Sequence, residues 1–162
     1  MTQNQQTRSN APRKGGPGAL SRWIQRRANA RTCTRIRRKG GAMMGMEVLI
    51  LHTVGRRSGE PRESPVAWFD DGEHGWLIVG SGGGSRNPDW CLNLMANPDQ
   101  AAVELHGSTP VPVTPHRLDA ADREKAWQHI AAVQPRIAKY QGKSEREYPV
   151  IRLSPRQQME TR

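Results

Sequence analysis

Three β-forming runs follow one another between Glu47 and Gly80, joined by links too short to hold a helix, and this spacing leaves few folds open. Glu47–Val54 (EVLILHTV) is dominated by aliphatic and β-branched residues. Gly55–Pro61 has the glycines and proline of a turn, and Arg62–Phe69 alternates loosely as a partner strand. Asp70-Asp71-Gly72 turns the chain again, into Trp76–Gly80. Parallel neighbours need a long crossover, so the three runs predict an antiparallel meander.

The later segments fit around it. Ser81–Asn87 is a Gly-rich loop. Pro88–Ala96 reads as a short helix with proline at its first position and Trp90, Leu92, Leu94 and Met95 as its apolar residues, stopped at Asn97-Pro98. Ala101–His106 and Thr109–Arg117 predict a hairpin around Gly107-Ser108. Pro110, Pro112 and Pro115 place its second strand at a sheet edge. Asp119–Val133 predicts a helix capped by Asp119 or Asp122, Pro135 restarts it, and Tyr148–Leu153 is a last strand. Strands first, with helices between later strands, suit an α+β, mainly antiparallel barrel with helices packed outside, and not a doubly wound parallel sheet.

At 162 residues the chain is one domain's worth, able to bury about two-thirds of its unfolded surface. Its charge divides it. Residues 1–46 carry eleven Lys or Arg and no Asp or Glu, leaving 14 basic against 15 acidic residues in the rest. The expected organisation is a basic arm at 1–41, a barrel domain at 42–155 and a polar tail at 156–162. Within the arm, residues 1–19 have a disordered composition. Leu20–Lys39 lacks Gly and Pro and reads as a basic helix, ended by Gly40-Gly41. Leu20, Trp23, Ile24 and Ala28 share one face of it, while Cys33 and Ile36 fall off that face. Such an arm seeks a polyanion. The near-neutral remainder, without a nucleic-acid-binding pattern, weighs against nucleic acid and towards anionic lipid, met peripherally by residues 20–39. No apolar run of about twenty residues occurs, and the basic start lacks an apolar signal core. The expected location is therefore cytoplasmic, with the inner membrane face in reach.

Cys33 and Cys91 form no CxxC, and the five histidines show no ligand spacing, so neither a disulfide nor a metal is expected. His52, inside the first strand, reads as a structural histidine. Two segments could carry chemistry. Thr53–Arg62 (TVGRRSGEPR) gathers Arg56, Arg57, Ser58, Gly59 and Arg62, and arginine forks with inward backbone N–H groups suit phosphate oxygens. Gly80–Trp90 (GSGGGSRNPDW) runs from a strand through glycines into a helix, a place to cradle an anion or a ring. Neither is a known phosphate fingerprint: no GxxxxGK[ST] is present, and Ser85 breaks GxGxxG. On residues alone, an ordinary basic surface turn is the favoured reading of the first segment, and a flexible connector is as open as a binding loop for the second. Asn93 could bind a ligand or satisfy backbone. No acid/base or nucleophile set stands out, so an enzyme built this way would leave the hard chemistry to a cofactor.

In order, Met43–Pro98 and Tyr140–Ile151 resemble the deazaflavin-dependent nitroreductase and quinone reductase family of actinobacteria. The likeness lies in the strand, the GRRSGEPR turn, the Ser-Gly loop, NPDWCLNLMANP and YQGKSEREYPVI, and it covers roughly residues 40–155. The resemblance implies a split β-barrel of the pyridoxamine oxidase type and the deazaflavin coenzyme F-420. It implies that Arg56, Arg57, Ser58, Gly59 and Arg62 hold the coenzyme's phosphate and acidic tail. Val79, Gly80, Ser81, Gly82 and Gly83 would run along its ring, with Pro88, Trp90 and Asn93 closing the other side. Ser81 would face the acceptor and Tyr140 would form part of an aromatic wall over it. The implied reaction is hydride transfer to a quinone, nitro compound or activated enone. The alternative is a barrel that carries deazaflavin, FMN or haem without turnover. Gly82 stands where a lysine is frequent in the family, and Gln134 and Ile137 stand where further tyrosines occur.

Overall fold

The computed structural model describes residues 18–82 and 84–156. The described residues open with helix α1 (Ala19–Lys39) and a two-residue strand β1 (Ala42–Met43) that turns back onto β2 (Met46–Val54). Then follow β3 (Pro61–Asp70), a 3-10 turn (Gly72–His74), β4 (Trp76–Val79), α2 (Asp89–Ala96), β5 (Ala102–Glu104), β6 (Val111–Arg117), α3 (Ala120–Val133), α4 (Pro135–Lys143) and β7 (Val150–Pro155). β2, β3 and β4 form the predicted meander, with Thr53 opposite Arg62 and Phe69 opposite Leu77. β4 pairs with β7, β7 with β6, β6 with β5, and β5 returns to β2, where Leu51 faces Val103. Every pairing is antiparallel, and the last one closes β2–β7 into a barrel with the helices outside. This is the expected split barrel.

Strand alternation sorts the core into an inside and two outer faces. Leu49, Leu51, Val66, Ile78, Val103, Val113, Ile151 and Leu153 fill the barrel with Cys91 and Leu94 of α2. The residues between them point outward. Leu77, Val79 and Val150 meet Ala126, Ile130 and Ile137 of α3 and α4. Val48 and Ile50 meet Cys33 and Ile36 of α1. Several strands are covered on both faces, which is why β2 reads as a nearly continuous apolar run.

Several expectations are corrected. β6 is not an edge strand, because it lies between β5 and β7. Pro115 is tolerated because β5 is only three residues long, while Pro112 faces the far end of β7, where its carbonyl accepts from Arg156. The Val113 N–H reaches Ala101 on that flank, so Pro115, two residues on, turns its missing N–H past the start of β5. Pro88 is the N-cap of α2 rather than its first residue, and Asp119 sits at the N-cap of α3 without a capping side-chain bond. The last strand lies two residues later than predicted, at Val150–Pro155. In α1 the residues that dock are those off the predicted face: Cys33 and Ile36 are buried, while Leu20, Trp23 and Ile24 are 70%, 48% and 54% exposed. Of the residues 1–19 expected to be disordered, 1–17 lie outside the described residues and Ala19 opens α1; of the polar tail, 157–162 lie outside them too. Among the described residues no helix is long and apolar enough to cross a membrane.

Candidate active site

The turn between β2 and β3 closes on itself. The Gly55 N–H donates to the Glu60 carbonyl (2.9 Å) and the Gly59 N–H to the Gly55 carbonyl (2.8 Å). Gly59 has φ +69°, a left-handed conformation that favours glycine. Arg62 donates to Ser58 Oγ (3.1 Å) and Glu60 (3.2 Å) across the turn. Arg56 turns inward. Its backbone N–H and its guanidinium both reach Asn93 Oδ1 (3.2 and 2.8 Å), and its other arm reaches Asp89 Oδ1 (3.1 Å). Asn93 is buried, so its carbonyl is spent on holding Arg56. Arg57 stays exposed at the tip.

The loop after β4 starts at a close approach. A Cβ on Gly80 would lie 2.7 Å from the Pro149 ring and 3.6 Å from Cys91 Sγ, so glycine lets the end of β4 pass under the entry to β7. Ser81 and Gly82 are exposed, and Gly83 lies outside the described residues. Arg86 donates to the same Asp89 oxygen as Arg56 (3.2 Å), so one carboxylate at the start of α2 joins the loop to the turn. Pro88 is buried behind it, and Trp90 packs against the barrel core.

Ser81, Gly82, Tyr140, Lys143, Ser144 and Tyr148 line a cavity of about 410 Å³. This lies within the usual size of small-molecule sites, about 300–1,000 Å³. Three of the site residues read from the sequence, Ser81, Gly82 and Tyr140, thus share one cavity although Tyr140 lies far from the other two in the chain. Gln134 and Ile137 do not line it: Gln134 donates to the Met44 carbonyl (3.0 Å) and Ile137 is buried in the outer core. Asp89, Arg86, Lys143 and Arg146 were not singled out in the sequence. All four lie inside the quoted motifs, Arg86 and Asp89 in GSGGGSRNPDW and Lys143 and Arg146 in YQGKSEREYPVI, but nothing in those motifs marked them out. A second cavity, about 440 Å³, lies by Asp71, His129 and Arg152, and the loop, the turn and α4 contribute nothing to it.

His52 lies under α1. Its Nε2 is 2.8 Å from Glu104, and Glu63 completes a group whose ligand atoms could surround a metal. Arg37 takes the cation's place there, donating to Glu104 (2.8 and 2.9 Å) and Glu63 (2.5 and 3.1 Å). Its guanidinium holds the Glu104 carboxyl below the ordinary carboxylate range, against burial, with a smaller contribution from His52.

A closed antiparallel barrel, with a glycine loop lining one cavity and an arginine turn tied to that loop through Asp89, has the split-barrel fold. The chain belongs to the F420H(2)-dependent quinone reductase family, which it matches over residues 22–155. It is accordingly an enzyme, a deazaflavin-dependent oxidoreductase. An F420H(2)-dependent quinone reductase of Mycobacterium tuberculosis is 31% identical over 150 residues, 85% of this chain and 99% of that protein. The solved structure of an F420-H2 dependent reductase superposes with a TM-score of 0.56 at 30% identity, covering 66% of this chain and 93% of the other. A structure described as a domain-swapped dimer shares the fold with a TM-score of 0.58 at 24% identity, covering 84% and 100%.

Proposed function

We propose that the chain passes a hydride from the reduced deazaflavin coenzyme to a quinone, or to a nitro compound or activated enone, in the cavity between Ser81 and Tyr140. The observation that carries this reading is the meeting of distant segments: the loop and α4 face one cavity, and Asp89 ties the arginine turn to that loop. The donor set fits the coenzyme. Arg57, Arg62, Ser58 and the backbone at Gly59 offer guanidinium forks, a hydroxyl and a tight turn to a phosphate and acidic tail. Val79, Gly80, Ser81, Gly82 and Gly83 would flank the ring, with Pro88, Trp90 and Asn93 behind. Arg56 is assigned a supporting part, since Asn93 and Asp89 already hold it.

When bound, the reduced coenzyme supplies the hydride. The chain's own work is to fix distance and angle between the ring edge and the acceptor, where good positioning offsets several kcal/mol of barrier. Ser81 and Tyr140 line the cavity, and the hydroxyl of either, or water, would hand a proton to the acceptor. Lys143 lines the same space, and its ammonium favours negative charge there.

Fluorescence titration with the coenzyme, then coenzyme oxidation on adding menadione, tests the reading. No binding at micromolar coenzyme, or no oxidation with quinone, nitro and enone acceptors, would sink it. Arg57→Ala should weaken coenzyme binding about tenfold without lowering the melting temperature. Arg56→Ala should lower both.

The arm supports a peripheral place at an anionic membrane, on the inner face. Leu20, Trp23 and Ile24 stand exposed on a helix without an acidic residue, among Arg22, Arg26 and Arg27. Co-sedimentation with phosphatidylglycerol vesicles should be lost in a Leu20→Ser, Trp23→Ser, Ile24→Ser variant. Equal sedimentation with neutral vesicles would refute the anionic preference.

A further inference from the structure

The glycine loop does not hold its own shape. Gly80, Gly82 and Gly84 give it little conformational preference, and Gly84 sits at φ +67°. Beside the Gly80 N–H bond to the Pro149 carbonyl and the Arg86–Asp89 pair, most of its bonds come from one side chain between α4 and β7. Arg146 Nε donates to the Gly84 carbonyl (3.1 Å), one terminal nitrogen to the Gly80 carbonyl and Asn87 Oδ1 (both 2.9 Å), and the other to the Gly82 carbonyl (2.5 Å). Its planar face lies 4.8 Å above the centre of the Tyr148 ring.

Arg146 is itself anchored to the opposite wall. Gln141 of α4 donates to the Arg146 carbonyl (2.8 Å) and accepts from the Tyr148 N–H (2.7 Å). The Tyr148 hydroxyl donates to the Tyr140 carbonyl (3.2 Å). A single guanidinium therefore connects the loop wall of the cavity, Ser81 and Gly82, with the α4 wall, Tyr140 and Lys143. Only a rigid fork with five N–H donors can reach three carbonyls and an amide at once, which a lysine point charge cannot.

We propose that Arg146 is a positioning residue for the coenzyme: by holding Gly80, Gly82, Gly84 and Asn87 it pre-forms the described part of the loop against Tyr148 and sets the width of the cavity in which ring and acceptor meet. This rests on the coenzyme placement above. Without it, the loop would have to be ordered at the moment of binding, at a cost in affinity, and the ring would sit less accurately for transfer.

The test compares wild type with Arg146→Gln and Arg146→Lys. Three readings are taken: amide hydrogen exchange at Gly80–Asn87 without coenzyme, coenzyme Kd by fluorescence, and kcat and KM with menadione. Arg152→Gln, which breaks the Arg152–Asp71 pair beside the other cavity, is the control. In Arg146→Gln, loop exchange should rise before any coenzyme is added, Kd should weaken about tenfold to a hundredfold, and kcat should fall even at saturating coenzyme. Arg146→Lys should recover little of this. Arg152→Gln should lower the melting temperature and leave loop exchange and Kd unchanged. Where Arg146→Gln does not fold, Arg146→Lys decides by the same readings. Wild-type loop exchange and Kd in a folded Arg146 variant overturn the proposal alone. Failure of the wild type to bind coenzyme overturns the coenzyme placement and this proposal with it.

Discussion

A methyl group added at Gly80 and one added at Gly82 would meet different surroundings. At Gly80 it would press into the Pro149 ring, 2.7 Å from Cγ and 3.1 Å from Cδ. A proline ring cannot swing aside, so the end of β4 and the entry to β7 must separate. At Gly82 the nearest atom, Pro88 Cγ, is 3.7 Å away, an ordinary contact, and the backbone is outside the left-handed region. Gly80→Ala should therefore cost about 1–3 kcal/mol of stability, as overpacking does. It should also weaken coenzyme binding, because the loop begins at that residue. Gly82→Ala should stay within about 0.5 kcal/mol of wild type. Urea unfolding of the two variants checks the pair, and equal losses would mean that the glycines serve flexibility rather than a close approach.

At the scale of elements, α1 is two helices in one. Its last turns dock Cys33 and Ile36 on β2, and Arg37 reaches across to Glu63 of β3 and Glu104 of β5. The helix thereby spans the β3–β2–β5 face, including the seam that closes the barrel. Glu104 is buried and its carboxyl is held below the ordinary range, chiefly by Arg37. A folded-state value below the unfolded one means that the folded form binds fewer protons in that window. The contribution is thus complete above the ordinary glutamate value, about 4.3, and is lost as pH falls through it towards the folded value. Urea midpoints of the wild type should drop on acidification through that window, and Glu104→Gln should flatten the drop. At neutral pH Glu104→Gln should be less stable by about 2 kcal/mol, the cost of breaking a buried pair reduced for the exposure of Arg37 and Glu63. An acid limb of wild-type steepness in Glu104→Gln would refute the assignment to this carboxyl.

Over the whole molecule, local signals and distant contacts part company. The meander was legible because its links are too short for anything else, and the helices because Pro135 and the glycines mark their ends. The closure of β2 on β5 was not, since pairing between remote strands leaves no local trace. The prolines of β6 spoke truly about one missing N–H each and misled about the strand's place, which depends on how far β5 and β7 extend beside Pro115 and Pro112. In the site, the turn and the loop announced themselves by arginine and glycine, but Arg146 and Asp89 did not. An arginine in a polar connector has the same sequence signature whether its guanidinium meets water or three carbonyls. The apolar spacing at Leu20, Trp23 and Ile24 pointed to a face that stays exposed, because docking uses only the later turns. That division of α1 makes the two thiols reporters of two different openings. Cys33 and Cys91 are both buried, and burial pushes both thiols up, Cys33 to about 11. Cys33 lies in a small buried cluster with Ile36, Val48 and Ile50 under α1, whereas Cys91 lies in the main barrel core. Undocking α1 exposes far less surface than opening the barrel, so it should need less free energy and respond less to denaturant. Maleimide labelling of the native protein, followed by peptide mass mapping across sub-denaturing urea, should modify Cys33 first and with a shallow urea dependence, and Cys91 later and steeply. Arg37→Ala should speed the labelling of Cys33. Equal rates with equal urea dependence at both cysteines would show instead that α1 and the barrel open as one cooperative unit.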